Sequence, residues 1–240
     1  MIKKPVFICY ILLLCLTAIF PANTQQTIFN VPNADVTPKG YLYTENEAQF
    51  KAWDSQKIYI LTQYSNLGIG HNTDLEASLY NIRSPKPSNA TMGYGFKSFV
   101  PLLKGKYSER EFKLTVGSQL LVSHQGDGVG NWSYTHLSGR IPLLNARLTA
   151  GVSAGTRQFF GKNTVCFIGG YEYPVTKRFS IIGDWYSGAN NNGFYIPGIS
   201  CKLSNYSSLY VGYRIRNAPS SGQSGMVIEV NAFIPVFVKY

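Results

Sequence analysis

The stretch that decides the fold is residues 163–206, NTVCFIGGYEYPVTKRFSIIGDWYSGANNNGFYIPGISCKLSNY. Apolar and aromatic side chains alternate there with small or polar ones, on both sides of a short turn at Thr176 and Lys177. A longer loop at residues 187–193 is built from Gly, Asn, Ser and Ala. Short turns at one end and long polar loops at the other are typical of an up-and-down β-barrel in an outer membrane. The stretch therefore predicts an all-β, antiparallel transmembrane barrel.

The same alternation extends through the chain in both directions. It is clearest at residues 112–122 and 146–158, where one face is apolar and the other is polar. Turn signals near residues 104, 144, 176 and 206 give about twelve strands, with ten to fourteen possible, each near the length of a tilted transmembrane strand. Only a closed barrel satisfies every backbone group of such strands in lipid.

Composition supports a membrane barrel over a soluble one. Only 14% of the 240 residues are charged and 14% are aromatic, while the formal net charge is +10. A secreted β-sandwich or lipocalin-like barrel is the alternative, since it shows the same period with its apolar face inward. Aromatic residues near strand ends, such as Tyr173, Phe179 and Trp185, favour the membrane, because they suit the aromatic girdles of such barrels.

The N-terminus has the form of a secretory signal peptide. Lys3 and Lys4 precede an apolar run at residues 6–20, and small residues follow at 22–24. We expect residues 1–24 to be the signal, with an uncleaved membrane anchor as the alternative. Residues 25–40 lack any period and are predicted to be a periplasmic lead. Residues 41–240 are then the barrel, located in the cell outer membrane.

The C-terminus carries a resemblance to a known group of proteins. Alternating apolar residues from Ile228 to Val238, followed by the terminal aromatic Tyr240, resemble the insertion signal of bacterial outer-membrane β-barrel proteins. The hairpin at residues 172–188 is similar to those of uncharacterised, porin-like members of that group. The family usually ends in Phe, and Pro235 removes a ladder donor in the last strand. The resemblance implies outer-membrane lipid and the barrel-assembly machinery as partners, and the net positive charge suggests basic loop or rim residues in contact with anionic lipopolysaccharide.

Charged residues on the polar faces are the candidate site. Rings of basic side chains in a pore favour anions, whereas mutual pairing with acids would fill the lumen instead. Glu172 and Asp184 share a face on neighbouring strands, and ion pairing is the stronger interpretation of that pair than acid–base chemistry. The predicted lumen-lining residues are Lys97, Lys113, Arg140, Arg147, Arg157, Glu172, Asp184, Arg214 and Arg216.

His136-Leu137-Ser138 is the one pattern that suggests catalysis. A His-x-Ser pair on a barrel strand resembles the outer-membrane phospholipases and lipid A deacylases, where His activates a Ser nucleophile. The motif of those families continues with Asn, whereas this sequence has Gly139. Their catalytic pair also faces lipid, whereas Leu137 takes the apolar face here. We expect a polar cluster in the lumen and no enzyme.

Other chemistry finds no support in the sequence. Cys166 and Cys201 remain after the signal, one predicted inward and one outward, and no cysteine–histidine spacing suggests zinc. No cofactor motif occurs, and export with dispersed basic residues argues against nucleic acid. The expected function is a passive pore for small solutes with a leaning to anions. The alternatives are a closed structural or adhesive barrel and a lipid hydrolase at His136 and Ser138.

Overall fold

The computed structural model describes residues 26–51, 59–84, 90–103, 111–124 and 128–237. Within these ranges twelve antiparallel strands form one closed barrel, which confirms the predicted fold class. The strands are β1 (Tyr41–Phe50), β2 (Tyr59–Gly70), β3 (Thr73–Ser84), β4 (Thr91–Pro101), β5 (Lys113–Ser123), β6 (Val129–Ile141), β7 (Ala146–Gly155), β8 (Val165–Pro174), β9 (Phe179–Tyr186), β10 (Phe194–Lys202), β11 (Ser207–Arg216) and β12 (Gly225–Pro235).

Each strand pairs with its neighbours in sequence, and β12 closes the barrel on β1. The closing register runs from Tyr41 opposite Pro235 to Phe50 opposite Met226. Pro235 is the last residue of its strand, so the N–H that proline lacks falls at the end of the ladder and not within it. The donor that Pro235 removes therefore does not interrupt the closing ladder.

The barrel has two distinct ends. At one end, called the turn end, lie the short connections at residues 71–72, 142–145, 175–178 and 203–206, together with the start of β1 and the finish of β12. At the other, called the loop end, lie the longer connections 156–164, 187–193 and 217–224. His71 and Asn72 both have positive φ, at 53° and 57°, as a two-residue hairpin turn requires.

The apolar faces of the strands point outward. On β5, Leu114, Val116 and Leu120 are exposed on the outer surface, whereas Thr115 and Gln119 are buried inside. Two short helical elements, α1 (Arg157–Phe160) and a 3-10 turn (Pro219–Ser221), lie at the loop end. In the part of the chain that the structure describes, no helix is long and apolar enough to cross a membrane.

The predicted periplasmic lead lies in a different place from the one expected. Residues 26–37 enter the barrel and fill its lumen, and we call them the plug. Ile28, Phe29 and Val31 are almost fully buried, and backbone and side-chain atoms of the plug bond to inward-facing residues of β3, β4, β5, β7 and β9. The lead lacks the alternation of a strand because it packs on all sides inside the barrel, not on one face of a sheet.

The β2–β3 turn gives a test of the fold. Replacing Asn72 with Val places a β-branched residue at φ 57°, and we expect the free energy of unfolding to fall by about 1–2 kcal/mol. Asn72→Gly is the matched control and should be almost neutral, because glycine adopts positive φ freely. Urea titration of the refolded barrel, followed by tryptophan fluorescence, measures both. Equal stabilities of the two variants would contradict the assigned turn.

Candidate functional site

The tip of the plug is a tight turn held by one carboxylate. Ile28 N–H donates to the Val31 carbonyl at 2.9 Å. The turn directs three consecutive N–H groups at Asp184 Oδ2, from Phe29 at 3.0 Å, Asn30 at 2.6 Å and Val31 at 2.7 Å. Asp184 is itself buried on the inward face of β9. Hydrogen bonds from backbone N–H groups to a charged carboxylate are stronger than those between two neutral groups.

Glycines on the inward face make room for the tip. A Cβ at Gly198 would lie 2.5 Å from a ring carbon of Phe29, and one at Gly212 would lie 2.6 Å from the same atom. A Cβ at Gly170 would lie 2.2 Å from the Ile28 side chain. Any larger residue at these positions would displace the plug, so the glycines belong to its binding site.

Aromatic residues close the lumen above the plug, toward the loop end. Phe160 of α1 is fully buried and belongs to the same apolar cluster as Val31. Phe159 packs against this cluster, with its ring 5.9 Å from Trp132 and 6.1 Å from Tyr80 between ring centroids. The lumen is therefore filled at the loop end by residues of the barrel and α1, and below that by the plug.

Lower in the lumen the plug is held by wall residues of β3 and β4. Lys97 Nζ donates to the Gln26 carbonyl at 3.1 Å and also bonds the Gln26 side-chain oxygen. Thr37 N–H donates to Asp74 Oδ1 at 2.7 Å. Because Lys97 is almost fully buried, these contacts replace the water that its ammonium group would otherwise require.

An ion-pair network ties the plug to the turn end. Asp35 accepts from Lys113 at 3.1 Å and from Arg147 at 2.5 Å. Glu111 accepts from Arg140 at 3.1 Å and from Arg147 at 3.0 Å. Three of the predicted lumen bases are thus neutralised by carboxylates. This is the mutual pairing that the sequence left open as the alternative to a basic pore lining.

Two of the predicted lumen residues lie elsewhere. β7 ends at Gly155, so Arg157 begins α1 and is exposed at the loop end. Arg216 is the last residue of β11, and its exposed side chain reaches the Gly222 carbonyl at 3.5 Å. The chain leaves the sheet before Arg157, and Arg216 lies at the very end of its strand, where its side chain is exposed at the rim of the barrel.

The remaining predicted residues do face the lumen. The Arg214 guanidinium lies 3.5 Å from the centroid of the Phe194 ring. Glu172 is 4.0 Å from Arg147 and joins the turn-end network. The structure does not bring Glu172 and Asp184 together as a pair. Asp184 instead serves the tip of the plug, a role that the sequence did not predict.

Buried carboxylates lie around the plug, and only Asp184 of them is among the predicted lumen residues. Thr27 of the plug donates its hydroxyl to Glu45 at 3.1 Å, and Glu47 lies directly opposite Glu229 across the closing strands. We call the inward-facing, buried carboxylates of the strands the acid belt; its members are Glu45, Glu47, Asp74, Glu76, Asp184 and Glu229.

One small cavity lies in the lumen. A cavity of about 20 Å³ remains between the plug and the wall, beside Gln26, Asn30, Glu76, Gln119 and Tyr134. That volume holds about one water molecule. Among the described residues, no group of three histidine, cysteine, aspartate or glutamate side chains could hold a metal ion. The arrangement is that of a closed barrel without a built metal centre in the described part of the chain.

His136 and Ser138 do not form the geometry of a nucleophile and its base. Both are buried and face the lumen. Ser138 Oγ pairs with Thr149 Oγ1 at 3.1 Å, and the His136 ring stacks on Tyr134 at 6.0 Å. Neither His136 nitrogen has a hydrogen-bond partner among the described residues. The polar-cluster interpretation accounts for these contacts, and a lipid-facing pair does not.

Cys166 and Cys201, the cysteines in the described part of the chain, are free thiols on opposite faces. Cys166 is buried inside the barrel. Cys201 is half-buried and lies opposite Phe179, whose ring is exposed on the outer surface.

Among comparisons with known proteins, only those with solved structures find matches. No protein-family model matches the chain, and no curated protein matches it. Among solved structures, the NanC porin in a rhombohedral crystal form is 10% identical with a TM-score of 0.49, covering 80% of this chain and 99% of NanC. The translocator domain of the autotransporter NalP from Neisseria meningitidis is 11% identical with a TM-score of 0.39. The match covers 83% of this chain and 90% of the NalP domain.

The outer membrane protein OprG from Pseudomonas aeruginosa is 10% identical with a TM-score of 0.17, covering 83% of this chain and 92% of OprG. With identities of 10–11% and TM-scores of 0.49 or less, these similarities carry no argument about what this chain binds or transports.

The hydrogen bonds between Asp184 and the tip of the plug can be tested directly. In Asp184→Ala three buried N–H groups lose their acceptor, and a single hydrogen bond to a charged group contributes about 1.5–3 kcal/mol. We expect amide hydrogen exchange in residues 28–31 to accelerate by more than about tenfold. Glu172→Ala, which does not contact the tip, is the control. Unchanged protection in Asp184→Ala, measured by mass spectrometry, would show that the tip is held by other contacts.

Proposed function

We propose that this chain is an outer-membrane β-barrel with the architecture of a pore, closed at rest by its own N-terminal plug. Small solutes would cross when the plug is withdrawn from the lumen. The observation that carries the proposal is the set of polar contacts between plug residues 26–37 and the wall, from Asp184 near the tip to Arg147 at the turn end. Water can replace the wall residues as hydrogen-bond partners of the plug, and so the plug can leave. If wall side chains alone filled the lumen, no separate segment could be withdrawn.

The outer surface supports the membrane location. Phe167 and Val165 of β8 and Leu120 of β5 are more than half exposed on the outside of the barrel. A soluble barrel would bury its large apolar residues inside, whereas a membrane barrel presents them to lipid. An outer-membrane location would bring lipopolysaccharide into contact with the barrel, and the barrel-assembly machinery would insert it, as the resemblance at the C-terminus implies.

The wall is built to tolerate withdrawal of the plug. If Asp35 leaves, Arg147 keeps Glu111 at 3.0 Å and Glu172 at 4.0 Å. Lys97 lies beside Asp74 on the next strand, to which it is paired in register. Burying an uncompensated charge would oppose opening, and the wall bases avoid that penalty.

The size of the barrel is compatible with passage. Eight-stranded barrels are just wide enough for side chains to fill, and sixteen-stranded porins leave an aqueous channel. Twelve strands lie between these cases, and here a twelve-residue segment of the chain fits inside. Removing that segment would open the lumen to water from the turn end up to the aromatic residues at the loop end, and passage further requires Phe159 and Phe160 of α1 to move aside.

A closed structural or adhesive barrel is the second candidate, and the loop end favours it. Asn191 N–H donates to the Phe160 carbonyl at 2.9 Å, and Asn217 N–H donates to the Gly193 carbonyl at 2.9 Å. The Asn217 side chain also bonds the Gly188 carbonyl at 3.0 Å. Three loops thus form one hydrogen-bonded platform, which is suited to contacts outside the membrane whether or not the lumen opens.

Single-channel recording tests the pore. The plug-release variant Phe29→Ala/Asp35→Ala removes a buried ring and an ion-pair anchor but leaves the wall unchanged. Truncating a buried Phe costs about 3–5 kcal/mol, so we expect the open probability in a planar bilayer to rise by more than about tenfold over the native chain. Phe167→Ala on the outer face is the matched control. A folded plug-release variant that stays silent would reject the pore and favour the structural barrel.

We also propose that the chain is not a lipid hydrolase. Ser138→Ala is expected to leave the rate of phospholipid hydrolysis in detergent micelles at the level of the native protein, because Ser138 Oγ is paired with Thr149 and not with His136. Fatty-acid release that depends on Ser138 would instead show that His136 and Ser138 act together in another conformation.

A further inference from the structure

We infer that the open barrel selects for cations, and that the acid belt sets this substrate class. The inference rests on the proposed function, because it concerns the lumen from which the plug withdraws. It reverses the leaning to anions that the basic polar faces suggest in the sequence.

The first support is the distribution of charge along the lumen. The acid belt contributes six buried carboxylates, and two lumen-facing bases, Lys97 and Arg214, lie near them. Water entering the lumen favours the ionised carboxylates, so acids outnumber these two bases in the belt. Rings of carboxylates favour cations in a pore.

The basic residues that suggested anions lie outside the belt. Lys113, Arg140 and Arg147 belong to the turn-end network, and Arg157 and Arg216 lie at the loop end. When the plug removes Asp35, Glu111 and Glu172 remain to offset three turn-end bases. The turn-end network, not counting Lys202 at the end of β10, then carries one net positive charge.

The second support is that belt oxygens lack donors even with the plug in place. Glu229, which is 1% exposed, has no hydrogen-bond partner for either carboxylate oxygen among the described residues. Glu47 Oε2 and Asp74 Oδ2 likewise have none in that part of the chain. Buried carboxylate oxygens without donors are costly, so a cation or a donor-bearing ligand suits this region.

The third support is what the plug itself offers to the belt. Its backbone gives three N–H groups to Asp184 and one to Asp74, and Thr27 gives a hydroxyl to Glu45. The belt therefore already binds a segment that presents donors. A hydrated inorganic cation, or an amine with several N–H groups, offers the same chemistry. The carboxylates are spread around the wall and do not form a chelating group among the described residues.

The reversal potential of the plug-release variant tests the sign. Under a KCl gradient we expect potassium to be preferred over chloride. Adding Glu76→Gln and Glu229→Gln should lower the permeability ratio by at least about twofold, because two belt charges are lost. Thr115→Val in the same background alters the lumen wall without changing its charge, so it is the control and should leave the ratio unchanged. A chloride preference in the plug-release variant would overturn the inference.

A binding measurement tests the cation preference of the acid belt even if the plug-release variant does not conduct ions. Isothermal titration of the folded plug-release variant should show binding of spermine, weakened at least about tenfold by Glu76→Gln/Glu229→Gln, and no binding of citrate in the belt. Citrate binding without spermine binding would reject the cation assignment. Spermine binding in a variant that never conducts would reject the pore while the belt stands as a cation site.

Discussion

The structure depends on the closure of β12 on β1. Where no water can reach, every backbone N–H and carbonyl must find a partner, and an open sheet edge would leave a row of them unpaired. The ten-residue register from Tyr41 opposite Pro235 to Phe50 opposite Met226 removes that edge. Closure also fixes two faces, one toward the surroundings and one toward the lumen. Leu114 and Phe167 lie on the first, and Gln119 and Asp184 on the second.

A closed wall of twelve strands leaves a lumen that wall side chains do not fill by themselves, and the plug occupies it. The plug is held through its backbone by Asp184 and through its side chain Asp35 by Arg147. Glycines at 198 and 212 are as much a part of this arrangement as the charges, because a Cβ at either would overlap Phe29. The closed state thus combines shape and polar contacts, and opening requires both to be exchanged for water.

Much of the fold was predictable, because a strand's alternation is local. The faces of residues 112–122 and the turns near residues 144, 176 and 206 follow from period 2 and turn chemistry, and the structure confirms them. The site was predictable only in part. Lys113, Arg140, Arg147 and Glu172 pair with carboxylates or bases in the lumen, and this mutual pairing was one of two alternatives. The apolar residues Ile28, Phe29 and Val31 in the lead were the available signal for the plug, since an exposed lead has no need of them.

The sequence by itself determined the strand period, the turns, the closed all-β architecture and the chemical character of each face. Tertiary structure alone decided that the lead turns into the lumen, that Asp184 receives its tip, and that Lys97, Lys113 and Arg147 hold its other end. The physical reason is distance along the chain. Phe29, Asn30 and Val31 meet Asp184 across 153 to 155 residues, and Glu47 meets Glu229 only because the barrel closes. No local pattern specifies which inward-facing residues will share a level of the lumen, whereas two neighbours on one strand always take opposite faces.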